Sequence, residues 1–401
     1  MYRERPPGPS LRSKALARIA LASAIATVLG IAPCAARVDT DVAVDLAVGY
    51  DSNPLRLSSD GQGSAYTEAR VKAGLGWTLG SRSAVLVSTE GSQRFHGSGQ
   101  DGADVGSAAA EARLALTPYR RGRSLFMISL GGRYGLYRAT FVDPATGGVY
   151  QVPSVPATVP ATSVPIPDRF DTNAASGFVE LRARIRDRVR LSLATTLESA
   201  RSVRDYHSST GLEPLDATTT TLEPAIRWQV ARPVALELGY AWSRRSYDSL
   251  PALSASGSEA AGVAREYRYD GYRLAVHVEP AARWDVDMGF HSLDRSDTFA
   301  GYYDSSGATA YLGVGRDLGS KSRITLLASR LELEYPNAPA LNLPNGEIRP
   351  TEAARALTRF EHDLPRGFSL VVEAGAQQND NPDPLFTYRR IWTQTGFRYA
   401  R

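Results

Sequence analysis

The feature that most constrains the fold is an alternation of apolar and polar side chains with a period of two residues, which runs from Thr40 to the C-terminus. In one segment, Val71 and Leu75 fall on one face while Arg70 and Lys72 fall on the other. This is the period of a β-strand that has one face toward an apolar phase and the other toward water. Beyond the N-terminal region, no stretch has the roughly 18 consecutive apolar residues of a membrane helix. The alternation therefore predicts an all-β chain.

The polar segments between these strands alternate between short and long. Seven short turns lie near residues 80–83, 118–123, 187–188, 231–233, 280–283, 317–322 and 363–367. Eight longer segments lie near residues 51–65, 97–105, 141–170, 207–217, 249–265, 294–305, 336–351 and 379–386. Short turns at one end and long loops at the other are typical of a transmembrane, antiparallel up-and-down β-barrel. These connections predict about sixteen strands, with a range of about fourteen to eighteen because three segments alternate weakly.

The N-terminal segment has the composition of an export signal. Basic residues at positions 3, 5, 12, 14 and 18 precede an apolar stretch over residues 19–32, and Ala35 and Ala36 supply small residues for a cleavage site. We therefore expect residues 1–36 to be a cleaved signal peptide and residues 37–401 to form the barrel. The only cysteine, Cys34, falls within the signal, so the barrel needs no disulfide.

The net charge of the whole chain comes from the signal. Without residues 1–36, the chain has 41 basic and 41 acidic residues, so its formal charge is zero. A protein that binds a phosphate backbone is expected to keep a basic excess. We therefore expect no nucleic-acid partner.

Aromatic residues cluster near the ends of the predicted strands. Such rings favour the boundary between membrane and water, although strands favour aromatic residues in any case. The clustered residues are Tyr50, Trp77, Tyr119, Tyr134, Tyr137, Tyr240, Trp242, Tyr247, Tyr267, Tyr269, Tyr272, Trp284, Tyr335, Tyr388 and Trp392.

The sequence offers no clear catalytic or metal-binding set. The nearest cluster is His277 and His291, which share the polar face of one predicted hairpin with Asp285 and Asp287. The period of two spreads these side chains along the strands, which strains simultaneous ligation of one metal ion. We expect no enzyme activity, no metal and no cofactor.

The polar face supplies candidate pore-lining residues, because a barrel of about sixteen strands leaves an aqueous lumen. The candidates are Arg70, Lys72, Arg113, Glu180, Arg182, Arg184, Arg186, Arg190, Arg227, Glu237, Arg245, Arg273, Asp285 and Asp287. The run of arginines from Arg182 to Arg190 can be interpreted in two ways. It forms a basic ladder that favours anionic solutes, or its members pair with nearby carboxylates and stiffen the wall.

The longest predicted loop, over residues 141–169, contains six prolines and is expected to be extended rather than helical. Its position is similar to that of the constriction loop of general porins. It either folds into the lumen or lies exposed outside.

Two further segments resemble known barrel families. The last strand, residues 386–401, resembles the C-terminal assembly signal of outer-membrane proteins, although Ala400 and Arg401 follow the final aromatic residue. The stretch from Gly49 to Pro54 resembles the Tyr-Asp-(Ser/Asp)-Asn motif of several barrel families, and it also fits a local turn. The chain is similar to the barrel portion of surface-lipoprotein assembly modifiers and polysaccharide-export porins, without the helical-repeat domain of those proteins.

These patterns and resemblances together imply a Gram-negative outer-membrane channel for polar or anionic solutes or polymers. The alternative is a secretion or assembly factor for a surface protein or lipoprotein, and a third interpretation is an outer-membrane hydrolase. The expected partners are outer-membrane lipid, lipopolysaccharide and the barrel-assembly machinery. A homo-oligomer is compatible with the sequence.

Overall fold

The computed structural model describes residues 37–56, 61–97, 103–138, 171–203, 215–337, 350–381 and 387–401. The predicted signal peptide and the predicted loop over residues 141–169 lie outside these ranges. The strands are β1 (Arg37–Asp51), β2 (Ser64–Thr78), β3 (Ser83–His96), β4 (Val105–Arg121), β5 (Ser124–Arg138), β6 (Thr172–Ile185), β7 (Val189–Ser202), β8 (Ala217–Ala231), β9 (Val234–Leu253), β10 (Glu259–Val278), β11 (Trp284–Asp297), β12 (Ser305–Asp317), β13 (Ser322–Glu334), β14 (Thr351–Asp363), β15 (Phe368–Asp380) and β16 (Tyr388–Ala400). Among the described residues, no helix has both the length and the apolar composition needed to cross a membrane.

The strands form one closed antiparallel sheet. Each strand pairs with its neighbours in sequence, and β1 pairs with β16 to complete the circle. The register at this seam runs from Ala43 opposite Ala400 to Asp51 opposite Trp392. Closure leaves no strand edge with unpaired backbone groups. The prediction of an all-β, sixteen-stranded antiparallel barrel is therefore confirmed.

The seven connections at one end of the barrel are two to five residues long, at the predicted positions. One prediction about the opposite end was wrong. Residues 249–265 were expected to form a long loop. Instead, β9 extends as far as Leu253, and β10 already begins at Glu259. Polar residues can continue a hairpin in water because pairing uses the backbone. A register shift on both sides of Ala264, which faces Pro251, accommodates a proline that has no N–H to donate.

The two faces of the sheet differ as the alternation predicts. Leu46, Leu238 and Phe397 lie on the outward face, and more than half of each side chain is exposed in the isolated chain. Ion pairs on the other face reach across an intervening strand, as from Arg113 in β4 to Glu180 in β6 at 3.3 Å. Side chains two strands apart converge only on a concave face. The polar face therefore points inward, and an apolar band covers the outside, as in membrane barrels.

The apolar band ends where outward charged residues begin on β9 and β10. Tyr240 and Tyr272 pack together on the outside, with ring centroids 5.2 Å apart. Toward the long-loop end, the next outward side chains include Arg244 and Glu266, which form an ion pair at 2.6 Å. The aromatic pair thus lies at the boundary between the apolar band and a polar extension of the wall.

The aromatic residues near strand ends divide between the two faces. The strand registers place Tyr50, Trp77, Tyr119, Tyr134, Tyr240, Trp242, Tyr272 and Trp284 outward. The same registers place Tyr137, Tyr247, Tyr267, Tyr269, Tyr388 and Trp392 inward. The prediction that these rings lie at the membrane–water boundary is therefore wrong for the inward group. Several inward rings stack with arginines instead. The guanidinium carbon of Arg295, for example, lies 4.7 Å from the centroid of the Tyr267 ring. Strand-end position alone cannot distinguish the faces, because alternation changes the face at each residue.

Two glycines make close backbone contacts at the seam between β1 and β16, Gly49 and Gly396. A Cβ at Gly49 would overlap the backbone carbonyl of Thr393 and the ring of Tyr66, which covers this position. We expect Gly49→Ala to destabilise the barrel by about 1–3 kcal/mol, because the backbone oxygen cannot move away. The measurement is the temperature at which the folded band disappears on a semi-denaturing gel.

Gly177→Ala serves as the matched control, because its Cβ would meet only one carbonyl oxygen, at 4.0 Å. Equal melting temperatures for the two variants would contradict this packing at the seam.

Candidate functional site: the inward wall and its short-turn rim

The predicted pore-lining residues lie on the inward face, with one exception. The strand registers place inward Arg70, Lys72, Arg113, Glu180, Arg182, Arg184, Arg190, Arg227, Glu237, Arg245, Arg273, Asp285 and Asp287. The exception is Arg186, because β6 ends at Ile185 and Arg186 lies in the following turn with φ 54°. A left-handed turn residue leaves the strand alternation, so its side chain lies at the end of the barrel rather than on its wall.

Several of these arginines are neutralised by nearby carboxylates. Arg70 lies 2.6 Å from Glu68, and Arg273 lies 2.5 Å from Glu237. Arg182 lies 2.5 Å from Glu180. For these residues the wall-stiffening interpretation fits the geometry.

Further inward candidates also have partners. Arg113 contacts Glu111 at 3.0 Å as well as Glu180, and Lys72 lies 3.9 Å from Glu90. Asp287 lies 2.7 Å from His277, and Asp285 pairs with Arg323 across β12. Arg245 donates to the hydroxyl of Thr219 at 3.3 Å. These contacts connect most of the wall into pairs of opposite charge.

Three arginines on adjacent strands form an exception, and we call them the arginine row. Arg184 in β6 lies directly opposite Arg190 in β7, which lies directly opposite Arg227 in β8. Within the described part of the chain, no carboxylate forms an ion pair with any of the three. Arg184 donates instead to the backbone oxygen of Arg123 at 3.0 Å. Like charges in directly opposite positions destabilise a sheet, so packing alone does not favour this arrangement.

Two inward carboxylates on β8 and β9, Glu223 and Glu237, form no ion pair with the arginine row. Glu237 faces Arg227 in the register of β8 and β9, but it is held by Arg273 at 2.5 Å. Glu223 lies four residues along β8 from Arg227, a distance of roughly 13 Å along an extended strand. The row therefore keeps an excess of positive charge on the inward wall near the short-turn end.

The short turns add a ring of positive charge, which we call the basic rim. Each of the seven turns contains at least one basic residue, from the set Arg82, Arg123, Arg186, Arg188, Arg232, Arg283, Lys321 and Arg366. The same turns contain two acidic residues, Asp187 and Glu279. Residues 37–401 are neutral by composition, but this end of the barrel is basic.

The backbone conformation of three rim residues supports a role for their charge. Arg186, Arg283 and Arg366 have φ values of 54°, 75° and 67°. Glycine or asparagine adopts this left-handed region at a lower cost than arginine does. Turn geometry alone therefore does not explain why arginine occupies these positions.

Sequence reasoning missed the basic rim and several inward charges. The omitted inward residues include Asp45, Asp51, Arg94, Arg133, Arg295, Arg323, Arg355, Arg359 and Arg390. The alternation of their strands contained the signal for each of them. The rim was also visible in the sequence, as at least one basic residue in every predicted turn.

The histidines do not form a metal site. His277 faces Asp287 in the sheet register, whereas His291 faces Arg273. Across the described ranges, no group of three or more His, Cys, Asp or Glu side chains is placed to hold a metal ion. The expected absence of catalysis and cofactors stays a prediction.

Comparison with known proteins adds little beyond the fold class. No protein-family model and no curated protein matches this sequence. Among solved structures, an anion-selective porin from Comamonas acidovorans is 11% identical to this chain. The alignment covers 91% of this chain and 100% of the porin, with a TM-score of 0.47. The outer-membrane protein OmpT of Vibrio cholerae is 7% identical, covering 92% and 100%, with a TM-score of 0.48. OccAB3 of Acinetobacter baumannii is 10% identical, covering 90% and 99%, with a TM-score of 0.45.

These values are too low to support an argument about function. The resemblance to surface-lipoprotein assembly modifiers and polysaccharide-export porins stays a prediction.

The arginine row makes a prediction about stability. We expect Arg190→Gln to stabilise the barrel by about 0.2–1 kcal/mol at low ionic strength, because it removes repulsion from both neighbours. The gain should disappear near 1 M salt, where the screening length falls to about 3 Å. The measurement is thermal unfolding of the folded barrel in detergent.

Arg273→Gln is the matched control, because it removes an inward arginine that has a carboxylate partner. An equal stabilisation by both substitutions would contradict repulsion within the row.

Proposed function

We propose that this chain is a passive outer-membrane channel that favours anions. The observation that carries the proposal is the arginine row, which lies on the inward wall without carboxylate partners among the described residues. The basic rim lies at the same end of the barrel. An anion entering from the short-turn side would meet the rim first and the row next.

The membrane location is part of the proposal. The outward face carries large exposed apolar side chains, including Leu46, Leu238 and Phe397. A patch of this kind needs lipid or another apolar phase to cover it. By the arrangement typical of such barrels, the short turns face the periplasm and the long loops face the exterior. Outer-membrane lipid and lipopolysaccharide would then contact the band.

The electrostatic argument depends on the distance over which charge acts. The screening length in physiological salt is about 8 Å, and charges beside a low-dielectric wall are screened less than charges in bulk water. Three guanidinium groups on adjacent strands therefore raise the local concentration of anions and lower that of cations. The paired charges elsewhere on the wall contribute little net field.

The proposal predicts a change in ion selectivity. We expect the double substitution Arg190→Ser and Arg227→Ser to move the zero-current potential, measured in a KCl gradient across a planar bilayer, from the anion-selective side toward zero. Arg182→Ser is the control, because Arg182 lies on the same face but is paired with Glu180. An unchanged potential in the double variant, or an equal shift in the control, would rule out the row as the source of selectivity.

The basic rim predicts a separate effect at low salt. We expect replacement of Arg186, Arg283 and Arg366 by glycine to reduce single-channel conductance in about 0.1 M KCl, because rim charge concentrates anions at the mouth. The effect should decrease at about 1 M KCl, where screening is strong. Stability should not fall, because glycine accepts positive φ more readily than arginine.

Replacement of the same three residues by lysine keeps the charge and serves as the control. Conductance that falls equally with lysine and with glycine would show that turn geometry, rather than charge, controls the current.

A further inference from the structure

A group of leucine side chains lies on the inward wall, where the alternation of the strands predicts polar residues. The strand registers place Leu327 and Leu331 of β13 and Leu357 of β14 inward. We call these three residues the leucine patch. Leu327 lies directly opposite Leu357, and Leu331 lies opposite Ala353. Because Leu326 and Leu327 are consecutive, one of them faces outward and the other faces inward.

Packing within the wall does not cover the leucine patch completely. Leu327 is 45% exposed, close to the 48% of Leu326 on the outward face. A Cβ added at Gly313 would lie 3.1 Å from Leu327 Cδ2, so the leucine extends over this glycine of β12. The glycine contacts one side of the leucine, and the exposed side faces the lumen. Removal of exposed apolar surface from water is favourable, so an apolar ligand gains free energy by covering it.

One arginine lies among these leucines. Arg355 of β14 is exposed and inward, directly opposite Ser329 of β13. Leu327 and Leu331 are its diagonal neighbours across this strand pair, at the distance of about 7–8 Å that is usual for such positions. Leu357 is the next inward residue of the same strand. A positive charge is therefore placed beside an exposed apolar surface.

Arg355 forms no ion pair with a carboxylate in the described part of the chain. Its guanidinium carbon lies 5.4 Å from the centroid of the Trp392 ring. Two inward acidic residues of β14 and β15, Glu361 and Glu373, have other partners. Glu361 lies 3.2 Å from Arg359, and Glu373 accepts from Trp392 Nε1 at 3.4 Å. A ring contact does not neutralise a guanidinium, so Arg355 presents its positive charge to the lumen.

We infer that the leucine patch and Arg355 form a binding site for an aliphatic monocarboxylate. The ligand would place its carboxylate on Arg355, because the planar guanidinium offers paired N–H groups to the two oxygens. Its hydrocarbon chain would lie along Leu327 and Leu357. Leu357 is two residues from Arg355 along an extended strand, about 7 Å, so a ligand of about six carbons reaches it. A small inorganic anion has no apolar surface to cover the leucines.

The site is separate from the arginine row, which belongs to β6, β7 and β8. Its side chains lie on β12 to β16, and the structure describes these five strands over their full lengths. Binding at this site therefore depends neither on ion selectivity nor on an open channel. A failure of the proposed channel function would leave the inference testable in detergent.

The test is equilibrium dialysis of radiolabelled hexanoate against the folded, full-length barrel in detergent, with protein-free micelles as the background. We expect saturable binding. Acetate has the charge without the chain and should compete about tenfold more weakly or worse, because it leaves the leucines exposed to water. Hexanamide has the chain without the charge and should also compete about tenfold more weakly or worse, because it loses the charged hydrogen bonds.

Two variants test the two parts of the site separately. Arg355→Gln should weaken hexanoate binding by about tenfold or more and should leave hexanamide binding unchanged, because only the charged contact is lost. The double substitution Leu327→Ser and Leu357→Ser should remove most of the preference for hexanoate over acetate, because the apolar surface is lost.

Arg190→Gln and Leu86→Ser are the matched controls, because they remove an inward arginine and an inward leucine from other strands. Neither should change hexanoate binding. Absence of saturable binding would overturn the inference, and equal affinities for hexanoate and acetate would overturn the role of the leucine patch. An unchanged affinity in Arg355→Gln would exclude this location. If the double serine variant does not fold, Leu327→Ala replaces it with a smaller loss in the same direction.

Discussion

The whole structure depends on closure of the backbone hydrogen-bond ladder between the first and last strands. A strand at the edge of an open sheet exposes N–H and C=O groups that lipid cannot satisfy. Here β1 and β16 pair over nine residue positions, and Val42 and Arg401 exchange two further backbone hydrogen bonds at 2.9 Å. The close approach at Gly49 permits this pairing. Once the barrel is closed, each strand has a defined inward and outward face. The position of each charged side chain on the wall is then fixed.

Closure also brings together residues that are far apart in sequence. Arg390 reaches Asp51 and Arg398 reaches Asp45 only because β16 lies beside β1. The cavity that contains His96 exists for the same reason, since its wall combines β1, β2, β3, β4 and β16. The seam thus closes the sheet and also forms one side of this cavity.

The two ends of the lumen differ in their electrostatics although residues 37–401 are neutral by composition. At the short-turn end, the basic rim contains more basic than acidic residues, and no carboxylate among the described residues forms an ion pair with the arginine row. At the long-loop end, charges at the seam form ion pairs, as between Arg390 and Asp51. The first arrangement acts on ions through a long-range field, whereas the paired charges of the second contribute little net field. Both depend on where charge lies rather than on how much there is.

The sequence by itself determined the all-β class, a count of about sixteen strands and the seven short turns, because hydrophobic alternation and turn length are local properties of the chain. It also determined which faces are polar, so the inward positions of Arg190 and Arg227 followed from counting. It did not determine which arginines keep a carboxylate partner, since Arg182 and Arg184 look alike in sequence but only Arg182 meets Glu180. It also placed Arg186 on the inward wall, whereas Arg186 lies in a turn with positive φ. It predicted a long loop over residues 249–265, whereas β9 and β10 extend into this segment as a hairpin. Cross-strand register decides such pairings, and register is fixed only when all sixteen strands close.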